Sequence, residues 1–428
     1  MNKEFYSLSK IPQPRIGLVM MVKDEEKRIH VSLESVLDTV CALIIYDTGS
    51  TDNTIQIISD FAEKHKINLY LIQGTFVDFA TSRNVVLDFA DTINVDFLLL
   101  LDSNDELRGG KELKEFTKVA IKKETTGFLT CQQWYSGALD KYYNIRFVRN
   151  KSGWRYRGVV HEWMKDTSSK DSNPSFPIFR MPDSIHIYQD RSKDSDKSAK
   201  RFRRDKELLL SEFKKDPTEP RTLFYLAQTC GSLGQFDEAL YYNKLRLELD
   251  GFEEEKFHAY LRSGECCANL KHSWEDVMGW YMKAFHHSVR AEPLSKMADY
   301  YIGKASDAME KKQGNFINYW KLAYMFIKEA CELSYPEHAI LFVDRGVYIF
   351  YRWYQMGRIA FYVGKFEEGK DACLKAIKEA PTPHMKEVNE KNLQIYEKVM
   401  SEMENKKMAK FPNESLKNVK KKFNKNHV

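Results

Sequence analysis

What the chain lacks narrows the reading first. No apolar run reaches the roughly 18 residues that a membrane span needs, and Met1 to Pro14 holds no apolar core of a secretory signal. Seven cysteines are scattered, with no C-x-x-C pair, and Cys266 and Cys267 are adjacent, a poor arrangement for a bond between them. A disulfide framework is therefore not expected, and reduced thiols in a cytoplasmic setting are. A basic body is missing too. The net charge is +5, but Asn405 to Val428 carries eight lysines and one glutamate, so everything before it sums to about −2. That excludes a nucleic-acid-binding core and leaves 403–428 as a lysine-rich, solvated end.

What is present is the composition of an ordinary globular protein, 43% apolar and 30% charged over 428 residues, long enough for two or three cores. Ile16 to Val22, Ala42 to Tyr46, Ile67 to Ile72 and Asp96 to Leu101 are short apolar runs bounded by polar turns, the pattern of strands buried on both faces. Between them, Ile29, Leu33, Val36 and Leu37, then Ile55, Ile58 and Phe61, then Phe79 to Phe89, recur at helical spacing. Strand and helix alternate with short connections, which predicts βαβ units and a parallel sheet for residues 1–214. Strands are also expected at Gly127 to Tyr135, Asn144 to Arg149 and Ser184 to Tyr188, a helix at Lys111 to Lys123, and a loop over 165–183.

From Pro217 strands vanish. Leu223 to Tyr242 reads as a helical hairpin closed at Gly234, and Arg358 to Ala376 repeats the plan around Gly364, 130 residues on and near four periods of about 34. Small residues alternate with large ones, as where paired helices approach closely. An all-α, tetratricopeptide-like repeat domain is expected over 215–402.

The chemistry gathers where apolar runs end. Leu98-Leu99-Leu100-Leu101 runs straight into Asp102-Ser103-Asn104-Asp105-Glu106, and Ala42 to Tyr46 into Asp47-Thr48-Gly49-Ser50. Ligands of open α/β sheets sit at the carboxyl ends of strands, so Asp47 and Asp102 fall on one edge. Hard oxygens there suit Mg²⁺ or Mn²⁺ and a phosphate-bearing substrate. Arg83 offers a fork for phosphate or a salt bridge to Asp47 or Asp102. Trp154 to Met164 mixes aromatic, basic, His and Glu residues; its Trp154, Tyr156 and Trp163, and the earlier Trp134, are core residues or a stacking face for a ligand.

Four stretches in order resemble family 2 glycosyltransferases: Gly17 to Glu26, Tyr46 to Thr54, Phe79-Ala80-Thr81-Ser82-Arg83-Asn84, and Leu100 to Glu106 at the D-x-D position. Arg146-Phe147-Val148-Arg149, Gly158-Val159-Val160-His161-Glu162 and Ile185-His186-Ile187-Tyr188 resemble a subgroup with tetratricopeptide repeats behind the catalytic domain, among them peptide S-glycosyltransferases and lipopolysaccharide-type sugar transferases. The resemblance covers about 14–240. It implies a GT-A (Rossmann-like) α/β domain and a nucleoside diphosphate sugar donor, most often UDP-linked. Lys23, Glu25, Asp47, Arg83 and Asp102 would then bind the donor, with Asp47 toward the nucleoside. Asp102 and Asn104, with His186, would hold Mn²⁺ or Mg²⁺. The third D-x-D position is Asn104, so an amide oxygen replaces a charge, with Asp105 next to it.

An inverting transfer needs a base for the acceptor proton. Glu162 is the expected base, and His161 an acceptor-orienting residue or a further metal ligand. His186 is alternatively a hydrogen-bonded strand histidine. Tetratricopeptide arrays bind peptides and other extended partners on a concave face, so a peptide, protein or glycan acceptor is expected, and neither nucleic acid nor a transmembrane segment. The competing class is a scaffold whose transferase domain is degenerate at Asn104. A nucleotidyltransferase is a third reading, disfavoured by the lack of a basic, glycine-rich triphosphate loop near Gly17.

Overall fold

The structure is a computed structural model that describes residues 12–121, 124–135, 139–167, 179–190, 198–312, 314 and 316–410. The lysine-rich end beyond 410 and most of the 165–183 loop lie outside these residues. Compactness divides the chain into two units, Met1–Ala259 with His338–Val343, and Tyr260–Glu337 with Asp344–Val428.

The first unit opens as the apolar runs require: β1 (Ile16–Val22), α1 (Ile29–Val36), β2 (Ala42–Asp47), α2 (Thr54–His65), β3 (Asn68–Gln73), α3 (Phe79–Ala90) and β4 (Phe97–Leu100). β1 lies between β2 and β4 and is parallel to both, with Val22 beside Asp47 and Val19 beside Leu100. Its alternate residues explain the unbroken apolar run. Leu18, Met20 and Val22 face a core with Ile29, Leu33 and Ile58, while Val19 faces another with Val86, Leu98 and Trp154. Burial on both faces removes the need for polar alternation.

Past β4 the sheet ceases to be parallel throughout. After β5 (Glu106–Arg108) and α4 (Gly110–Ala120) come β6 (Gly127–Tyr135) and β7 (Leu139–Arg149). β7 enters antiparallel to β4 and β6 antiparallel to β7. β8 (Trp154–Arg157) and β9 (Trp163–Asp166) form a separate two-stranded ribbon. β10 (Phe179–Arg180) joins β6, and β11 (His186–Asp190) runs parallel to β6 and antiparallel to β5. Four helices follow: α5 (Ser198–Lys215), α6 (Pro220–Ser232), α7 (Phe236–Leu247) and α8 (Glu253–Asn269), the last crossing into the second unit. The segment 338–343 returns to the first unit. Glu254 accepts the Ile340 and Leu341 N–H groups, and the Tyr143 N–H donates to the Ile340 carbonyl at 3.3 Å.

The second unit is helical: α9 (Trp274–His287), α10 (Ala291–Glu310), α11 (Phe316–Glu332), a π-helical turn Val347–Tyr351 that runs into α12 (Arg352–Tyr362), then α13 (Phe366–Lys378) and α14 (Pro383–Lys410). The two hairpin glycines behave alike. Gly234 and Gly364 have φ of +74° and +72°, and the residue after each, Gln235 or Lys365, donates its N–H back to Cys230 or Ala360. That left-handed residue ends one helix and releases the chain into the next. Small residues meet large ones as expected: a Cβ on Gly357 would lie 2.8 Å from the Cys373 sulfur.

Candidate active site

Both strand-end carboxylates sit on the edge that β1, β2 and β4 share, but they face different ways. Asp47 is 1% exposed and accepts the Gly49 and Ser50 N–H groups at 3.2 Å. Its carboxylate closes the turn in which Gly49 takes a φ of +100°. Ser50 and Thr51 then bond Asp24, tying this loop to the end of β1. Asp102 points outward instead, because Asp105 takes the inward position. Asp105 is fully buried and accepts the Asp102 N–H at 2.8 Å and the side-chain amide of Gln189 on β11. Burial and the neighbouring Asp102 charge push the Asp105 carboxyl up to about 6.

Outward-facing Asp102 meets two arginines. Arg83, a turn into α3, bonds one carboxylate oxygen, and Arg146, on β7 just beyond its pairing with β4, lies 3.2 Å from the other. Arg83 also reaches Glu162 at 2.6 Å and lies 5.1 Å from the Tyr156 ring. Burial opposes the charge on both guanidiniums, yet the facing carboxylates outweigh it and hold Arg83 above, and Arg146 well above, the ordinary arginine value. The Arg83-Asn84 pair divides its labour. Arg83 gathers the carboxylates, while the Asn84 amide bonds both the N–H and the C=O of Tyr156, pinning the β8–β9 ribbon to α3. That ribbon's turn presents His161 and Glu162. His161 has a φ of +51° and stacks on Tyr225 of α6, centroids 4.2 Å apart and planes within 9°.

These groups line one cleft of about 1830 Å³ within the first unit. Lys23, Glu25, Arg83, Asp102, Asn104, His161 and Glu162 all border it, as do Trp134, Trp154, Tyr156 and Trp163. Asp47 does not; its neighbour Thr48 does. His186 does not either. It pairs in register with Arg108 on β5, its Nδ1 lies 3.0 Å from the Asp183 carbonyl, and burial holds its pKa below the usual histidine value.

The residues expected at a divalent metal are spread out in this arrangement. Asp102 gives its two oxygens to arginines, Asp105 is turned into the core, and His186 lies elsewhere on the sheet. Among the described residues no three His, Cys, Asp or Glu side chains gather as metal ligands. Asp102 and Asn104 both border the cleft, and a Mg²⁺ site completed by substrate phosphates takes only one or two protein carboxylates.

Two contributors were not singled out from the sequence. Arg146 was noted as part of a motif without a role; its signal is the odd spacing of two arginines in Arg146-Phe147-Val148-Arg149 beside an acidic strand end. Asp205 was hidden in the charged run Arg201 to Glu207, which reads as a solvated helix face, yet it is only 6% exposed and borders the cleft.

Residues 18–192 match the model of Glycosyl transferase family 2. This stretch of the N-terminal unit is similar to a family 2 glycosyltransferase domain. It is GT-A-like, and the helical region that follows fits tetratricopeptide-like repeats. The SPbeta prophage-derived glycosyltransferase SunS of Bacillus subtilis is 26% identical over 239 residues, 54% of this chain and 53% of that one. A TPR repeat-containing protein of Synechococcus elongatus is 25% identical over 213 residues, 47% of this chain and 49% of its own. The chain thus spans about half the length of the curated relatives it matches. A solved structure of S. aureus TarS in complex with UDP overlaps 62% of this chain and 83% of its own, with 16% identity and a TM-score of 0.30, too loose an overlap to argue from. Among the described residues no helix is long and apolar enough to cross a membrane.

Proposed function

We propose that the protein transfers a sugar from a nucleoside diphosphate sugar, most plausibly UDP-linked, to a nucleophile on a peptide, protein or glycan acceptor, with inversion at the anomeric carbon. The observation that carries this is the Arg83–Asp102–Arg146 cluster at the strand ends of a family 2-like domain, opening into one cleft with Glu162. When the bond to the sugar breaks, negative charge collects on the departing diphosphate. Two fixed guanidiniums supply forked donors for it without having to reorganise. Asp102 holds both arginines in place until phosphate oxygens compete for them. Lys23 and Thr48, also on the cleft, add a cation and a hydroxyl on the same edge. The cleft exceeds the 300–1,000 Å³ common for small-molecule sites, which leaves room for an acceptor beside the donor.

A second reading, a binding protein without turnover, is favoured by one feature: Asp102 and Glu162 are both engaged by arginine. Thermal unfolding against a panel of nucleoside diphosphate sugars, with EDTA or with Mn²⁺, separates the two. A ligand at a hundredfold excess over its Kd stabilises by about 2.7 kcal/mol, so a donor should raise Tm, and UDP release in a discontinuous assay should follow. The reading fails if no donor shifts Tm at millimolar concentration. A shift that needs Mn²⁺ would mean that Asp102 leaves the arginines for a metal.

A further inference from the structure

On α5, Asp205 is a carboxylate on the wall of the cleft. It is 6% exposed, it borders the cleft that holds Glu162, and it makes no hydrogen bond or ion pair with any described residue. Its own helix could have neutralised it and does not. Lys206 bonds Glu238 at 2.7 Å and Gln235 at 2.8 Å on α7. Arg204 lies 5.6 Å from the Phe79 ring and Arg201 5.3 Å from the Phe202 ring, neither within ion-pair distance of Asp205. Its oxygens are not among the fully buried polar atoms left without a partner, so the carboxyl opens to the cleft, and a carboxyl partly withdrawn from water on a cleft wall is a candidate for chemistry.

Glu162 offers a contrast on the same cleft. Its carboxylate is held at 2.6 Å by Arg83, so it is committed to an ion pair rather than open to an acceptor. Asp205 has no such contact among the described residues, and burial acts on it directly. It raises the carboxyl's pKa, against the weaker pull of Arg204 and Arg201, and the Glu162 charge adds to the rise. A carboxylate raised toward neutrality is a better base.

We propose that Asp205 is the group that accepts the acceptor's proton, and that Glu162 is a positioning residue that holds Arg83. This rests on the glycosyl-transfer reading above. In the step, the X–H of an acceptor hydroxyl or thiol gives its proton to the Asp205 carboxylate. The electron pair on X forms the bond to the anomeric carbon. The bond from that carbon to the phosphate oxygen breaks, and its pair leaves with the nucleoside diphosphate. Protonated Asp205 then returns its proton to water.

Water can stand in for the unidentified acceptor. The experiment follows release of UDP from UDP-glucose and UDP-N-acetylglucosamine by the full chain, as a function of pH, in wild type, Asp205→Asn, Asp205→Ala and Glu162→Gln, with UDP affinity measured in parallel by thermal shift. The groups facing Asp205 that titrate or carry charge are Glu162, Arg201 and Arg204, and the two arginines stay charged across the range. The expected result for Asp205→Asn is unchanged UDP affinity and a rate lower by about two to four powers of ten, the span of a lost general base. The acid limb of the wild-type profile, set above the ordinary carboxylate range, should vanish in that variant and persist in Glu162→Gln. Formate should restore turnover to Asp205→Ala and not to Glu162→Gln, which a purely structural role would not produce. Near-wild-type release by Asp205→Asn, or formate rescue and loss of the acid limb in the Glu162 variant instead, overturns the assignment. Loss of UDP affinity in Asp205→Asn with the rate per bound enzyme unchanged overturns it as well. Failure of wild type to bind any nucleoside diphosphate overturns the donor reading itself, a separate result.

Discussion

Along the strand-end wall of the cleft, acid and base are matched: Asp102 lies between Arg83 and Arg146, and Arg83 reaches on to Glu162. Along the helical wall, Asp205 has no such partner while the cations around it turn elsewhere. The matched wall is a shape-holding device. Its charges fix one another, and a ligand must compete for them. The unmatched wall leaves a carboxylate open to the cleft, free to meet a ligand. Pairing here separates residues that place groups from residues that react.

The largest effect should come from breaking the matched wall at its centre. Asp102→Ala leaves two buried guanidiniums facing each other with one shared anchor lost. Removing one partner of a buried pair costs about 3–5 kcal/mol; the Asp102 side chain is 30% exposed, so the lower end is expected. Transfer should fall to background and the midpoint of urea unfolding should drop. A variant as stable and as active as wild type would show that the arginines need no carboxylate between them. Replacement by Asn should recover only part of the stability, through the hydrogen bond its amide oxygen still accepts, and still lose activity, because a neutral amide cannot balance two cations.

The same measurement applied to Asp205→Asn should move the other way. Removing an unpaired buried charge favours the fold, so Tm should rise, by about 2–4 °C for each kcal/mol recovered, while turnover is lost. Gain of stability with loss of function marks a group kept for its chemistry. A fall in Tm would instead assign Asp205 a structural contact.

Glu162→Gln should have an intermediate effect. Arg83 keeps Asp102 but loses its second anchor. A rate loss of about ten- to a hundredfold, the scale of a misplaced positioning group, should appear with little change in stability. A loss as large as that of Asp205→Asn would erase the distinction between the two walls.

The α/β plan was legible because strands buried on both faces write themselves as short apolar runs, and because a run that stops at Asp102 places that carboxylate at a strand end. The Arg83–Asp102 pair is one of the two the sequence allowed; the reach of Arg83 to Glu162 was not legible in it. What was not legible depends on register and on which side of a turn a side chain takes. Asp47 and Asp102 look equivalent in the chain, yet one closes its own turn and the other opens to the cleft. For His186 the sequence left two readings open, and its place opposite Arg108 with Nδ1 at the Asp183 carbonyl depends on strand register. Asp205 sits in Arg-Arg-Asp-Lys, a stretch whose charge signals solvent; only packing of α5 against the cleft reverses that.

The smallest effect tests the inward half of the D-S-N-D turn, whose carboxyl is buried like Asp205 but hydrogen-bonded. Asp105 titrates near 6 in the fold, against an ordinary value near 4 in the unfolded chain. The native state therefore binds the proton more tightly, and stability from this group is least above pH 6 and grows as pH falls through 6 toward 4. Other carboxylates oppose that trend: Asp183, lowered by its bonds to Lys141 and Tyr143 against burial, loses stabilisation as pH falls. The comparison must therefore be made by difference. Subtracting the pH profile of Asp105→Asn from that of wild type should leave a rise in wild-type stability that begins near pH 6 and levels off near pH 4. The amide can still accept the Asp102 N–H, so the variant should fold. A flat difference would place the Asp105 proton outside this turn and leave Gln189 as the group that orients it.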